Sequence, residues 1–125
     1  MLIPHLHFNG NCDQAIAFYE KAFNTKAEIG DRNGDFISHA IMDIRGTRMF
    51  LNDRADFANT SKRLDGTTHF VVLFDSKDEL LKCYSYFEDT CTIIDEFTEE
   101  PYSAWVGNFI DEFGIIWGFM VGGYG

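Results

Sequence analysis

Apolar and polar positions alternate along this chain at two different periods, and the same succession of periods occurs twice. Leu6 and Phe8 alternate with His5 and His7, the two-residue period of a half-buried strand. Asn9-Gly10 is turn chemistry, and Asn11 follows as a helix cap with Gln14 placed for a capping box. Cys12, Ala15, Ile16, Tyr19, Ala22 and Phe23 then recur at spacings of three and four, one apolar stripe of a helix. Asn24 suits the left-handed position that closes it. The order returns from His69. Phe70, Val72 and Phe74 make one strand face, Ser76 with Glu79 makes a second capping box, and Leu80, Leu81, Tyr84 and Phe87 make a second stripe. The chain reads as one unit written twice.

The strands between follow the same scheme. Lys26 to Asp31 is predicted as a strand, Asn33-Gly34 as a hairpin tip, Phe36 to Ile44 as a longer strand, and Thr47 to Asn52 as its return after Arg45-Gly46. Asp53 to Gly66 is polar, without period, and has the composition of a linker. In the second half, Thr67 to Phe74, Thr90 to Phe97, Ala104 to Ile110 and Ile115 to Val121 are predicted strands, with a helix over Ser76 to Phe87. Thr98 to Ser103, holding Pro101, is expected as a loop placed to cover a site, and Gly122 to Gly125 as a tail. The expectation is a single domain over residues 1–125, with module 1 at about 1–56, a linker at about 57–65 and module 2 at about 66–121. One helix over each set of strands gives an α+β fold. Two βαβββ modules would then form a curved mixed sheet with a concave cavity and the helices outside.

Composition changes this picture in three places. At 125 residues and 46% hydrophobic, the chain suits one core, but 13 Phe are more than two short helices cover. A lined cavity or a homodimer interface is therefore expected. A net charge of −10 argues against nucleic acid and against anionic membrane surfaces, and suits a cationic ligand. Three cysteines without metal-site spacing indicate neither a disulfide framework nor a zinc site. Cys12 opens a helix, where the dipole lowers a thiol pKa, yet it also lies on the apolar stripe of a buried residue. The first ten residues lack the basic start and apolar run of a signal peptide, and no stretch approaches a membrane span. A cytoplasmic protein is expected.

Three segments carry a family resemblance: Pro4 to Cys12 followed by Phe18-Tyr19, then Ser38-His39-Ala40, then Tyr102 to Trp117. The last, YSAWVGNFIDEFGIIW, is similar to a W-G-x-x-x-G-x-x-x-D-x-F-G-x-x-W pattern, with Tyr102 for the Trp and Ser103 for the first Gly. Together with the βαβββ repeat, the chain resembles the vicinal oxygen chelate superfamily of glyoxalases, dioxygenases and bleomycin-resistance proteins, within its PhnB-like branch. That resemblance implies the glyoxalase/bleomycin-resistance fold. It also implies a divalent metal held by a residue early in the first strand of each module and by a carboxylate in the last strand of each.

Carried over singly, those positions fall on Pro4 or Ile3, on Phe50, on His69 and on Gly118. Only His69 is a ligand type, so no catalytic metal is expected, and no catalytic residue is singled out. His5, His7 and His39, with His69, are the whole histidine complement and keep a divalent ion as the alternative. The cavity candidates are His5, His7, His39, Arg48, Phe50, Asn52, His69, Trp105 as a stacking ring, and Gly118 as an open floor. Three functions follow. The first is a metal-free protein binding a small cationic or aromatic molecule. The second is a metal-dependent lyase, dioxygenase or thiol transferase using His69 with His5, His7 and His39. The third is a non-catalytic structural or regulatory dimer.

Overall fold

The computed structural model describes residues 1–58 and 68–122. The chain divides into two compact units, Met1–Lys62 and Arg63–Gly125. Unit 1 runs β1 (His5–Phe8), α1 (Cys12–Ala22), β2 (Glu28–Asn33), β3 (Phe36–Ile44), β4 (Thr47–Asp53) and α2 (Ala55–Ala58). Unit 2 runs β5 (Phe70–Phe74), α3 (Lys77–Tyr84), β6 (Thr92–Glu100), β7 (Ser103–Ile110) and β8 (Ile116–Val121). Each unit holds an open four-stranded mixed sheet, ordered β1-β4-β3-β2 and β5-β8-β7-β6. In each, the first strand pairs parallel with the last and the remaining pairs are antiparallel. This is the α+β fold of two βαβββ modules. Among the described residues no helix is long and apolar enough to cross a membrane.

The buried set of α1 is the predicted stripe, and it packs on β3 and β4. Asn24 takes the left-handed conformation at φ 51° after the last turn. Asn11, by contrast, makes no capping bond. Asp53 does that work from the end of β4, its Oδ1 accepting from Cys12 N at 3.0 Å and its Oδ2 from Ile37 N at 2.9 Å. Asp53 is therefore a buried strand residue rather than linker, and α2 follows it directly. The rest of the expected linker from residue 59 to Gly66, Thr67 of the strand expected after it, and the expected tail beyond Gly122 lie outside the described residues.

Unit 2 follows its prediction less closely. Ser76 caps α3 as expected, accepting from Glu79 N at 3.2 Å. Leu81, expected in the stripe, is 41% exposed, and the buried row is Leu80, Cys83 and Phe87. The expected loop at Thr98 to Ser103 is mostly strand, because Thr98 pairs with Val106 and Glu100 with Ser103. Arg45-Gly46 turns β3 into β4 with both residues at positive φ, as a tight hairpin requires.

The D-x-F-G-x-x-W segment has a physical reading. Asp111, 4% exposed, accepts from Phe113 N, Ile115 N and Trp117 Nε1, each at 2.9 Å. One carboxylate thus closes the β7–β8 turn and anchors the indole beneath α3. Asp111→Ala removes all three of these bonds and is expected to cost about 3 kcal/mol, with Asp111→Asn intermediate. Urea denaturation checks this.

Candidate functional site

Leu6 and Phe8 go under α1, so alternation turns His5 and His7 to the face of the first sheet away from α1. His5 pairs with Phe50 and His7 with Asn52 across β1 and β4, which brings four candidates onto adjacent positions. His39 arrives by a different device. Between the Asp31–His39 and Arg32–Ile37 pairs, β3 carries the extra residue Ser38. This bulge lets Ile37 stay buried while His39 faces Phe50. Gly30 on β2 makes room, because a Cβ there would stand 3.0 Å from His39 Cδ2.

The rings form one continuous row. His39 meets Phe50 at 5.0 Å between centroids, Phe50 meets His5 at 5.8 Å, and His5 lies 4.3 Å from His7. His7 meets Phe57 of α2 edge-on at 4.7 Å, and the Arg54 guanidinium sits 3.8 Å over the Phe57 ring. Arg54 is also paired with Asp56 at 3.1 Å. His7 Nδ1 lies 2.7 Å from Asn52 Oδ1. That oxygen only accepts, so Nδ1 carries the proton and Nε2 of neutral His7 presents a lone pair. Arg48 stands on the same face at the sheet margin, 3.9 Å from Asp43.

Burial lowers the His5 pKa from the ordinary 6.5, and the neighbouring His7, His39 and Arg54 lower it further. Cys12 goes the other way: burial first, then Asp53 and Asp13, push the thiol up to about 12. The helix dipole does not overcome these, so Cys12 is a packed residue and not a nucleophile.

In unit 2, His69 lies against the sheet face opposite α3, its Nε2 3.2 Å from where a Gly118 Cβ would stand. Trp105 does not share that face. It stacks on Phe97 at 6.3 Å, with Lys77 Nζ of α3 3.9 Å over its ring, so both partners hold it on the helix side. The reason is parity: Val106 pairs with Met120 on the open face, and Trp105 alternates with it. Phe57 and Arg54 were missed, hidden in a polar stretch without periodicity. Asn108, the cross-strand partner of Gly118, was also missed; two-residue counting along β7 finds it.

The two units superpose by hydrogen-bond register. Arg54 N donates to Phe8 O and Gly122 N to Phe74 O, both at 2.8 Å, so Phe8 and Phe74 are equivalent. Counting back makes Ile3 the equivalent of His69, and Phe50 the equivalent of Gly118. These four positions, one imidazole with no carboxylate, do not fit a divalent ion. Among the described residues no group of three His, Cys, Asp or Glu side chains is placed to hold one.

A family model for the Glyoxalase/Bleomycin resistance protein/Dioxygenase superfamily matches residues 3–119. The chain belongs to that superfamily. Among solved structures, protein PA1353 from Pseudomonas aeruginosa is 20% identical with a TM-score of 0.81, over 97% of this chain and 96% of that one. The PhnB protein from Bacillus cereus is 19% identical with a TM-score of 0.78, over 97% and 98%. The fosfomycin resistance protein FosX of Listeria monocytogenes is 12% identical with a TM-score of 0.70, over 99% and 93%. At these identities the likeness establishes the fold. No curated protein sequence matches the chain.

The lowered His5 pKa sets a sign for pH dependence. Folding disfavours the charged imidazole, so the unfolded chain binds the proton more tightly. The stability involved is fully present above 6.5 and is lost as pH falls through the lower folded value. An NMR titration is expected to give His5 a midpoint below 6.5, and His5→Phe to flatten the stability slope between about pH 5 and 7.

Proposed function

We propose that this superfamily member is a metal-free binding protein for a small aromatic or cationic molecule, held on the sheet faces away from α1 and α3. The observation that carries this reading is the unbroken His39–Phe50–His5–His7–Phe57 row. Three of the four ring contacts are edge-to-face, which leaves π surface for a planar guest, and an imidazole nitrogen offers it an acceptor. A chain of net charge −10 disfavours anions and favours cations. No carboxylate stands at the inherited ligand positions, so binding chemistry replaces Lewis-acid chemistry in this reading.

The same reading takes the protein to be a cytoplasmic homodimer. Its three cysteines are free thiols, as a reducing compartment keeps them. Leu81 of α3 and Tyr86 just after it are more than two-fifths exposed, and a second copy would cover such apolar surface. A dimeric mass by light scattering at micromolar concentration is expected; a monomer removes this part.

A thermal-shift screen of small aromatic cations, run with and without divalent ions, tests the function. Selective binders are expected to raise the Tm irrespective of metal, by mass action. Phe50→Ala is expected to weaken them about fivefold. About one transition metal per chain in the purified protein, lost in His69→Ala, would overturn the reading and leave the metal-dependent enzyme.

A further inference from the structure

One rung of residues crosses the open face of the second sheet: Asp95 on β6, Asn108 on β7, Gly118 on β8 and Val71 on β5. Asn108 Nδ2 donates to Asp95 Oδ2 at 2.8 Å. An ionised carboxylate only accepts, so this bond fixes which way the amide points. Its Oδ1 is turned toward Gly118, 2.6 Å from where a Cβ would stand there. From the other side His69 Nε2 lies 3.2 Å from the same point. No hydrogen-bond partner for His69 occurs among the described residues. An oriented acceptor and an imidazole nitrogen thus close in over Gly118, which is itself buried, and only a glycine there lets both approach. Next to it opens a cleft of about 460 Å³, with Asp95, Glu96, Glu100, Tyr102, Val106 and Asn108 among its walls and no Lys or Arg.

We infer that this rung is a recognition site for the primary ammonium group of a small organic amine. The ammonium donates to Asn108 Oδ1 and to His69 Nε2 over Gly118, and the body of the amine lies in the acidic cleft. Hydrogen bonds from a charged donor are about twice as strong as neutral ones, and the carboxylate behind Asn108 adds attraction for a cation. An anion finds acceptors and three carboxylates. A quaternary ammonium ion matches the charge but brings no N–H. The missing side chain at Gly118, which removes a metal ligand, is what lets Asn108 Oδ1 and His69 Nε2 come together. The inference rests on reading the open faces as ligand surfaces, but it uses residues of the second unit alone.

The test compares benzylamine with benzyltrimethylammonium at pH 7.5, two cations with the same ring of which only the first carries N–H groups. Each is titrated into ¹⁵N-labelled protein and followed at the Gly118 amide and the Asn108 side chain. Benzylamine is expected to bind about tenfold more tightly. Asp95→Asn, a surface change, frees the Asn108 amide to turn over and is expected to bring the two probes within about twofold. Gly118→Ala sets a methyl group against Asn108 Oδ1 and is expected to weaken benzylamine while leaving shifts at Phe50 intact. Equal affinities in the wild type, or a preference that survives Asp95→Asn, would overturn the assignment. Shifts confined to His5, Phe50 and Asn52 sink it while sparing the aromatic row of the first unit. No binding by either probe at either place sinks both.

Discussion

A single buried carboxylate, Asp53, determines which face of the first sheet is left open. The first N–H groups of α1 need acceptors, and Asn11 supplies none from its side chain. Asp53 reaches Cys12 N with one oxygen and Ile37 N with the other, so the helix start is tied to two strands at once. With α1 pinned there, Leu6, Phe8, Met49 and Leu51 must lie beneath it, and alternation delivers His5, His7, Phe50 and Asn52 to the other side. The candidate site is thus a consequence of how the helix is capped. At 3% exposure, a carboxylate with two charge-assisted bonds also resists replacement, since any apolar residue would strand both amides.

The second unit solves the corresponding problem differently. Ser76 caps α3 locally, and the buried carboxylate, Asp111, moves to the hairpin, where it holds the turn and the Trp117 indole. The aromatic cluster of Phe74, Phe87, Phe109, Trp117 and Phe119 accordingly packs on the helix side. Many of the Phe residues that composition alone assigned to a cavity or interface belong to this core. Trp105 was drawn to the same side by its partners Phe97 and Lys77.

What could be read from the sequence was whatever depended on local periodicity. The strand–cap–helix order, the left-handed Asn24 and the hairpin at Arg45-Gly46 all follow from residues within one turn or two of each other. The exceptions are long-range. Asp53 is polar and ends a strand, so nothing nearby marks it as the cap of a helix 41 residues earlier. The β3 bulge is visible only as a change of apolar parity, Ile37 odd but Ala40, Met42 and Ile44 even. The extra length of β6 comes from pairing with β7, which outweighs Pro101 as a loop signal only because that proline falls beyond the last pair. In the site, His5, His7, Phe50 and Asn52 obeyed simple alternation. Asn108 and Phe57 needed the register and the helix that follow from the fold.

Register equivalence then shows how one scaffold came to hold two chemistries. The rung of the first unit reads Glu28, Ile41, Phe50, His5; that of the second reads Asp95, Asn108, Gly118, Val71. Each outer strand carries an acid, but the middle differs. Ile41 cannot relay a carboxylate's influence inward, so the first rung ends in packed rings. Asn108 can, because its amide passes a fixed orientation from Asp95 to the centre of the sheet. Phe50 fills its position with a ring, whereas Gly118 admits Asn108 Oδ1 and His69 from either side, which is why the first face carries π surface and the second an amide oxygen beside an imidazole. Neither substitution disturbs the backbone pairing, since side chains on the open face are not needed for the core. The fold therefore constrains where side chains stand on these faces while leaving their chemistry free, and in this chain the inner strands carry imidazole, aromatic and amide groups, with the carboxylates kept to the outer strands.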